Sequence, residues 1–179
     1  TIIGVGTGRM RPTITFTTAN TATIPVSAAN ISVTNCIFVG NFLSIASCFT
    51  LTTGGDFVVD NCEFRDTSAI LGFLSIFTTT VSVDADGLTI TRNKVKSLAT
   101  TSPGPMVVVA GTMDRLTIVG NYHTCTVANN NVAKLLAHGA LVVTNGLVAG
   151  NYVYTINTDS ATGALLVTTS ATTGSGIIA

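Results

Sequence analysis

Two stretches decide the fold: Ile31–Phe38, "ISVTNCIF", and Phe57–Phe64, "FVVDNCEF". Both place a cysteine after an asparagine and two residues before a phenylalanine, and their cysteines, Cys36 and Cys62, lie 26 residues apart. Three more segments fit the frame: "LTITRNKV" from Leu88, "LTIVGNYH" from Leu116 and "LVVTNGLV" from Leu141. The sixth position then reads Cys36, Cys62, Asn93, Asn121, Gly146, at intervals of 26, 31, 28 and 25 residues. Self-similarity at this spacing is the mark of a repeat architecture.

Apolar residues at the first and third positions of each copy alternate with period two, the pattern of a strand. A polar corner and an apolar eighth position lead into a second strand. A third is expected between copies, in "FLSIASCFTL", "FLSIFTTTVSV", "PMVVVA" and "AKLLAH". Three short strands per repeat predict one domain over residues 1–179, a right-handed single-stranded parallel β-helix of about six to seven coils. Coils stack at about 4.8 Å, so equivalent positions form columns. Cys36, Cys62, Asn93, Asn121 and Gly146 become one inward ladder. Stacked asparagines bond to one another and to corner backbone, and a buried thiol fills the same corner as a small apolar group. Stacked rungs also meet the separation that a disulfide needs, but a column that accepts Asn and Gly favours packing. A β-sandwich would place its tight Asp-Gly and Asn-Gly turns between mirrored strands. Here Asp86-Gly87 and Asn145-Gly146 fall at repeat-equivalent corners instead.

Composition points the same way. Only 9% of the residues are charged and the net charge is zero, against about 25% charged in an average domain. Thr, Ser and Asn carry the polarity. This removes the basic footprint of a nucleic-acid binder, and no apolar run is long enough for a membrane helix. A surface so poor in charge is expected to be covered within an assembly. Both ends stop in mid-pattern, so the chain reads as a piece of a longer one.

Chemical motifs are weak. "GVGTGRMRP" has glycines at 4, 6 and 8, but a Pro and a Thr-rich β segment follow, where a nucleotide loop needs a helix. Asp84 and Asp86 read as an Asp-Gly turn rather than a calcium loop, which needs further acids. His123 takes the apolar eighth position and reads as a packed core histidine; His138 falls in a corner. Cys48 and Cys125 are out of frame. Asp60, Glu63 and Asp66 cluster on one coil and, read as outward-facing, would suit the paired acids of glycan cleavage. Lys94 above Glu63 and Arg65 between the acids favour ion pairing across rungs instead. The outward columns mix threonine with apolar groups, and Ile37, Val58, Val119, Tyr122, Val142 and Leu147 form the expected interface. No catalytic residue, cofactor or metal is expected.

The five-copy pattern resembles right-handed parallel β-helix proteins of the pectate-lyase-like class. "TIIGVGTGRMRPTITFTTANTATIPVSAANISVTNC", "CFTLTTGGDFVVDNCEFRDTS" and "LLAHGALVVTNGLVAGNYVYTINTDSATGALLVTTSATT" are similar to virion-associated β-helix proteins of tailed bacteriophages. That resemblance implies a non-enzymatic virion protein in a head decoration or a tail appendage. Its implied partners are its own copies, a trimer among the candidates, and virion proteins such as the major capsid protein. A tailspike-like protein that binds or cuts polysaccharide, and a secreted adhesin or filament subunit, are the alternatives.

Overall fold

The computed structural model describes residues 1–79, 85–99, 106–110, 112–129, 134–138, 143–157, 166–168 and 176–178. It is a parallel β-solenoid with three strands per turn. The first sheet stacks seven strands: Ile2–Ile3, Ser32–Thr34, Val58–Asp60, Thr89–Thr91, Thr117–Val119, Gly146–Ala149 and Gly176–Ile178. The second stacks six: Thr13–Phe16, Ile37–Gly40, Glu63–Asp66, Lys94–Ser97, Tyr122–Asn129 and Tyr152–Asn157. The third also stacks six, from Ile24–Val26 through Phe49–Leu51, Phe77–Thr79, Val107–Val109 and Leu136–His138 to Leu166–Thr168. Met113–Asp114 and Val143–Thr144 form a separate short pair.

The corner between the first two sheets comes from backbone that few residues adopt. Asn35, Asn61, Arg92, Gly120 and Gly150 all have φ between 51° and 66°. A second such column precedes the first sheet: Asn30, Asp56, Gly87, Arg115 and Asn145, with φ between 52° and 76°. Left-handed backbone suits Gly and Asn, whose short side chains relieve or compensate the strain. These corners do not interrupt the ladder, because their amides bond to the next rung, as Asn61 N does to Thr91 O at 3.0 Å.

Inside, each turn contributes to columns of like side chains. Phe38 and Phe64 stack with ring centroids 5.2 Å apart, Phe49 and Phe77 at 5.5 Å, and Phe38 meets Phe49 edge-on at 5.1 Å. Val33, Val59, Ile90, Ile118 and Val148 line the first sheet's inner face, all under 9% exposed. No single turn could bury these groups alone, so stacking and core formation are one event. The two "FLSI" quartets are not in register, because Ile45 pairs with Phe73 and Phe49 with Phe77.

The fifth repeat is framed differently from its sequence reading. Thr117 pairs with Leu147 and Ile118 with Val148, so the copy after Leu116–His123 runs from Gly146 to Val153. Gly146 therefore pairs with Gly176, outside the Cys/Asn column. The Leu141 stretch belongs one corner earlier, where Met113 pairs with Val143. Rung length varies because corner loops absorb insertions, so similar short patterns compete and only strand pairing decides between them.

Candidate functional site: the inner ladder and the outer face of the second sheet

The inner column is a chain of hydrogen bonds. Cys36 N donates to Cys62 Sγ at 3.5 Å, Cys62 N to Asn93 Oδ1 at 2.8 Å, and Asn93 N to Asn121 Oδ1 at 2.9 Å. Asn121 N donates to Asn151 Oδ1 at 2.9 Å, so Asn151 holds the place assigned in sequence to Gly146. The amide nitrogens tie back to the previous rung: Asn93 Nδ2 to Val59 O, Asn121 Nδ2 to Ile90 O and Asn151 Nδ2 to Ile118 O, at 2.7–2.9 Å. Buried backbone at a solenoid corner needs such partners. All four cysteines are buried and none forms a disulfide.

The outward columns of the second sheet run Thr13, Ile37, Glu63, Lys94, Tyr122, Tyr152 and Thr15, Val39, Arg65, Lys96, Thr124, Tyr154. The face thus passes from apolar to charged to aromatic. At its charged centre, Glu63 is only 4% exposed. Its Oε2 accepts from Arg11 at 2.7 Å, and its Oε1 from Arg65 at 2.7 Å and Lys96 at 2.6 Å. Burial pushes the carboxyl up, but the bonds and charges of Arg65 and Lys96 outweigh it and bring it down to about 2. Three cations around one carboxylate leave this patch net positive. Lys94 stacks above Glu63 in register and is exposed, while the bonded lysine is Lys96.

Arg11 reaches this cluster from the irregular Gly4–Pro12 segment, which contains one 3-10 turn at Gly8–Met10. Asn35 pins that segment by donating to Gly4 O at 2.8 Å and Gly6 O at 2.9 Å. Arg11 then crosses a whole rung to bond Asn61 O and Glu63. Ile37 lies on the rung crossed. Read in sequence as an interface residue, it is only 2% exposed and is already covered within the chain. Of the other expected interface residues, Tyr122 and Leu147 are 43% and 37% exposed. Val58 and Val119 are half-buried, and Val142 lies outside the described residues.

The three acids do not share a groove as free carboxylates. Asp60 faces outward and is held by both Nε and Nη2 of Arg92 and by the Thr91 hydroxyl at 2.7 Å. The hydrogen bond from Arg92 chiefly keeps its carboxyl below the usual range, against a smaller opposing effect of burial. Asp66, read in sequence as outward-facing, pairs with Gly40 in the column of Phe16 on the inner side and is bonded by Ser97. Its Oδ1 accepts from Phe73 N at 3.0 Å; its Oδ2 accepts from Ser97 Oγ at 2.8 Å and Leu98 N at 2.9 Å. A β-carbon on Gly72 would fall 2.1 Å from Asp66 Oδ1, so the loop closes tightly on this carboxylate. Burial pushes the Asp66 carboxyl up.

His123 is 1% exposed in the apolar column between Val95 and Val153. Its Nδ1 lies 3.0 Å from Lys134 O, while Nε2 has no partner among the described residues. Burial lowers its pKa to about 4, so the ring is neutral at pH 7. Asp86 Oδ1 accepts from Asp114 N at 2.6 Å, and Asp84 lies outside the described residues. His138 ends a strand of the third sheet.

Sequence reasoning named Tyr122 on this face but missed Tyr152, Tyr154 and Ile156. Tyr122 and Tyr152 stack at 4.5 Å with rings 8° from parallel. Tyr152, Tyr154 and Ile156 are 48%, 44% and 40% exposed. The signal was present in the repeated "GNY" at 120–122 and 150–152, which sets the true 30-residue interval. All three tyrosines of the chain stand on this one face. Comparison with protein-family models, curated proteins and solved structures returned no match.

Proposed function

We propose that the chain is a non-enzymatic structural component of a tailed-bacteriophage virion, in a head decoration or tail appendage, that self-associates through the outer face of its second sheet. The observation that carries this reading is the aromatic end of that face. Tyr122 stands on one rung and Tyr152 and Tyr154 on the next, each more than two-fifths exposed, with Leu147 and Ile156 nearby in sequence and also exposed. Exposed aromatic and apolar groups grouped on a rigid sheet favour burial against a partner, and a symmetric oligomer meets that need with one kind of chain. The engagement of Asp60, Glu63 and Asp66 in structural bonds supports a mechanical role. The virion assignment rests on the three resembling stretches, and its natural partners are further copies and capsid proteins.

Sedimentation and light scattering test it. The chain should form an oligomer, and replacing Tyr122, Tyr152 and Tyr154 together by serine should dissociate it while leaving the fold intact. A monomer at all concentrations, or an oligomer indifferent to these changes, refutes the reading. One observation favours a second reading, that of a glycan-binding module: the stacked tyrosines lie one rung from exposed Lys94 and Lys96, a platform with charge suited to an acidic polysaccharide. Calorimetry with acidic polysaccharides separates the two, because under the second reading the serine variants lose glycan and not self-association.

A further inference from the structure

We propose that a small chamber behind the second sheet is a binding site for one water molecule, which donates a hydrogen bond to His123 Nε2. The chamber holds about 10 Å³ and its polar lining is Asp66, Ser75, Ser97 and His123, with Phe64 and Val95 among its apolar walls. That is room for one water and nothing larger, and water requires two to four polar partners.

The donors and acceptors identify the occupant. Lys134 O can only accept, so His123 Nδ1 carries the hydrogen and Nε2 presents a lone pair. Nε2 is fully buried and unpartnered among the described residues. The Ser75 hydroxyl donates to Ala46 O at 2.9 Å, and the Ser97 hydroxyl donates to Asp66 Oδ2 at 2.8 Å. The Asp66 carboxylate is an acceptor throughout. Each polar group of the lining has therefore spent its hydrogen or never had one. The occupant must supply hydrogens from a body of minimal size, and water does both.

The space has a local origin. The column that holds Phe38 and Phe64 narrows to Val95 before His123, while the neighbouring column changes from Gly40 to Asp66 and Ser97. The smaller Val95 thus leaves a small gap beside a polar wall. Asp66 and Ser97 also line an outer groove that includes Arg65 and Lys96, so the Ser97–Asp66 bond lies between the water and solvent.

The experiment joins a high-resolution crystal structure with long-range ¹H–¹⁵N spectra of the His123 ring. The expected result is one ordered water within hydrogen-bond distance of Nε2 and an Nδ1-protonated ring whose Nε2 signal reports an accepted bond. Val95→Ile should expel the water, move that signal towards a free lone pair and lower the unfolding midpoint. A dry chamber, an Nε2-protonated ring or a metal ion in the density overturns the proposal. So does a Val95→Ile midpoint that rises, since that is how an empty apolar void responds to filling.

Discussion

Asn93 offers the sharpest test of what holds the turns together. Its side chain is 1% exposed, takes the Cys62 amide hydrogen at 2.8 Å, and donates to Val59 O at 2.9 Å and Asn121 Oδ1 at 3.1 Å. Asn93→Ala takes the acceptor from the buried Cys62 N–H, a loss of about 1–3 kcal/mol for the stranded donor alone. Adding the two lost donations brings the expected cost to about 3–4 kcal/mol. The chain contains its own control, because the same column carries a thiol at Cys62, whose Sγ accepts the Cys36 amide of the previous rung at 3.5 Å. Asn93→Cys should therefore cost only about half as much, through a longer and weaker acceptor. Asn93→Leu, which keeps the volume and discards the polarity, should resemble Ala. The reverse change, Cys62→Asn, gives Cys36 N a stronger acceptor and should hold or raise stability. Urea unfolding at constant m reads all four. If Leu is the mild substitution and Cys the severe one, the column is a packing feature and the hydrogen-bond account fails.

Titration and corner chemistry supply two further tests. His123 has a folded pKa of about 4 against about 6.5 unfolded. The unfolded chain therefore takes up the proton first, and stability present above pH 6.5 is lost as pH falls towards 4. Between pH 7 and 5 this amounts to about 2 kcal/mol. His123→Phe, the residue that the column carries at 38 and 64, should remove that part of the slope, and an unchanged slope would sink the assignment. Glu63 acts lower on the scale: its folded value of about 2 gives stability that fades only as pH falls from about 4.5 through 2. Asp66, whose pKa is raised, works in the opposite direction. At the corner, Gly120 has φ of 66° and the nearest atom to an added β-carbon is 4.0 Å away, so Gly120→Ala meets backbone strain rather than a clash. It should cost about 1 kcal/mol in urea unfolding, and Gly120→Asn less, as Asn35 and Asn61 already show in that column. Equal costs for the two would argue against left-handed strain as the cause.

The sequence by itself determined the architecture. Period-two alternation in four copies, with an asparagine or cysteine at each corner, placed the first two sheets and aligned Cys36, Cys62, Asn93 and Asn121, because a stacked core repeats its chemistry wherever it repeats its geometry. Tertiary structure decided the rest. Asn151 displaced Gly146 because rungs of 26, 31, 28 and 30 residues leave the last frame open until strands pair. The inward face of Asp66 follows from alternation with Phe64, but only the folded stack supplies Phe73, Ser97 and Leu98 to receive it. Glu63 was buried because Arg11, 52 residues away in sequence, crosses the rung of Ile37 to reach it. Local pattern encodes which face a residue takes and the corner it turns. Which distant cation covers it, or which ring it stacks on, depends on how many residues each loop inserts between turns, and only the folded stack reveals that.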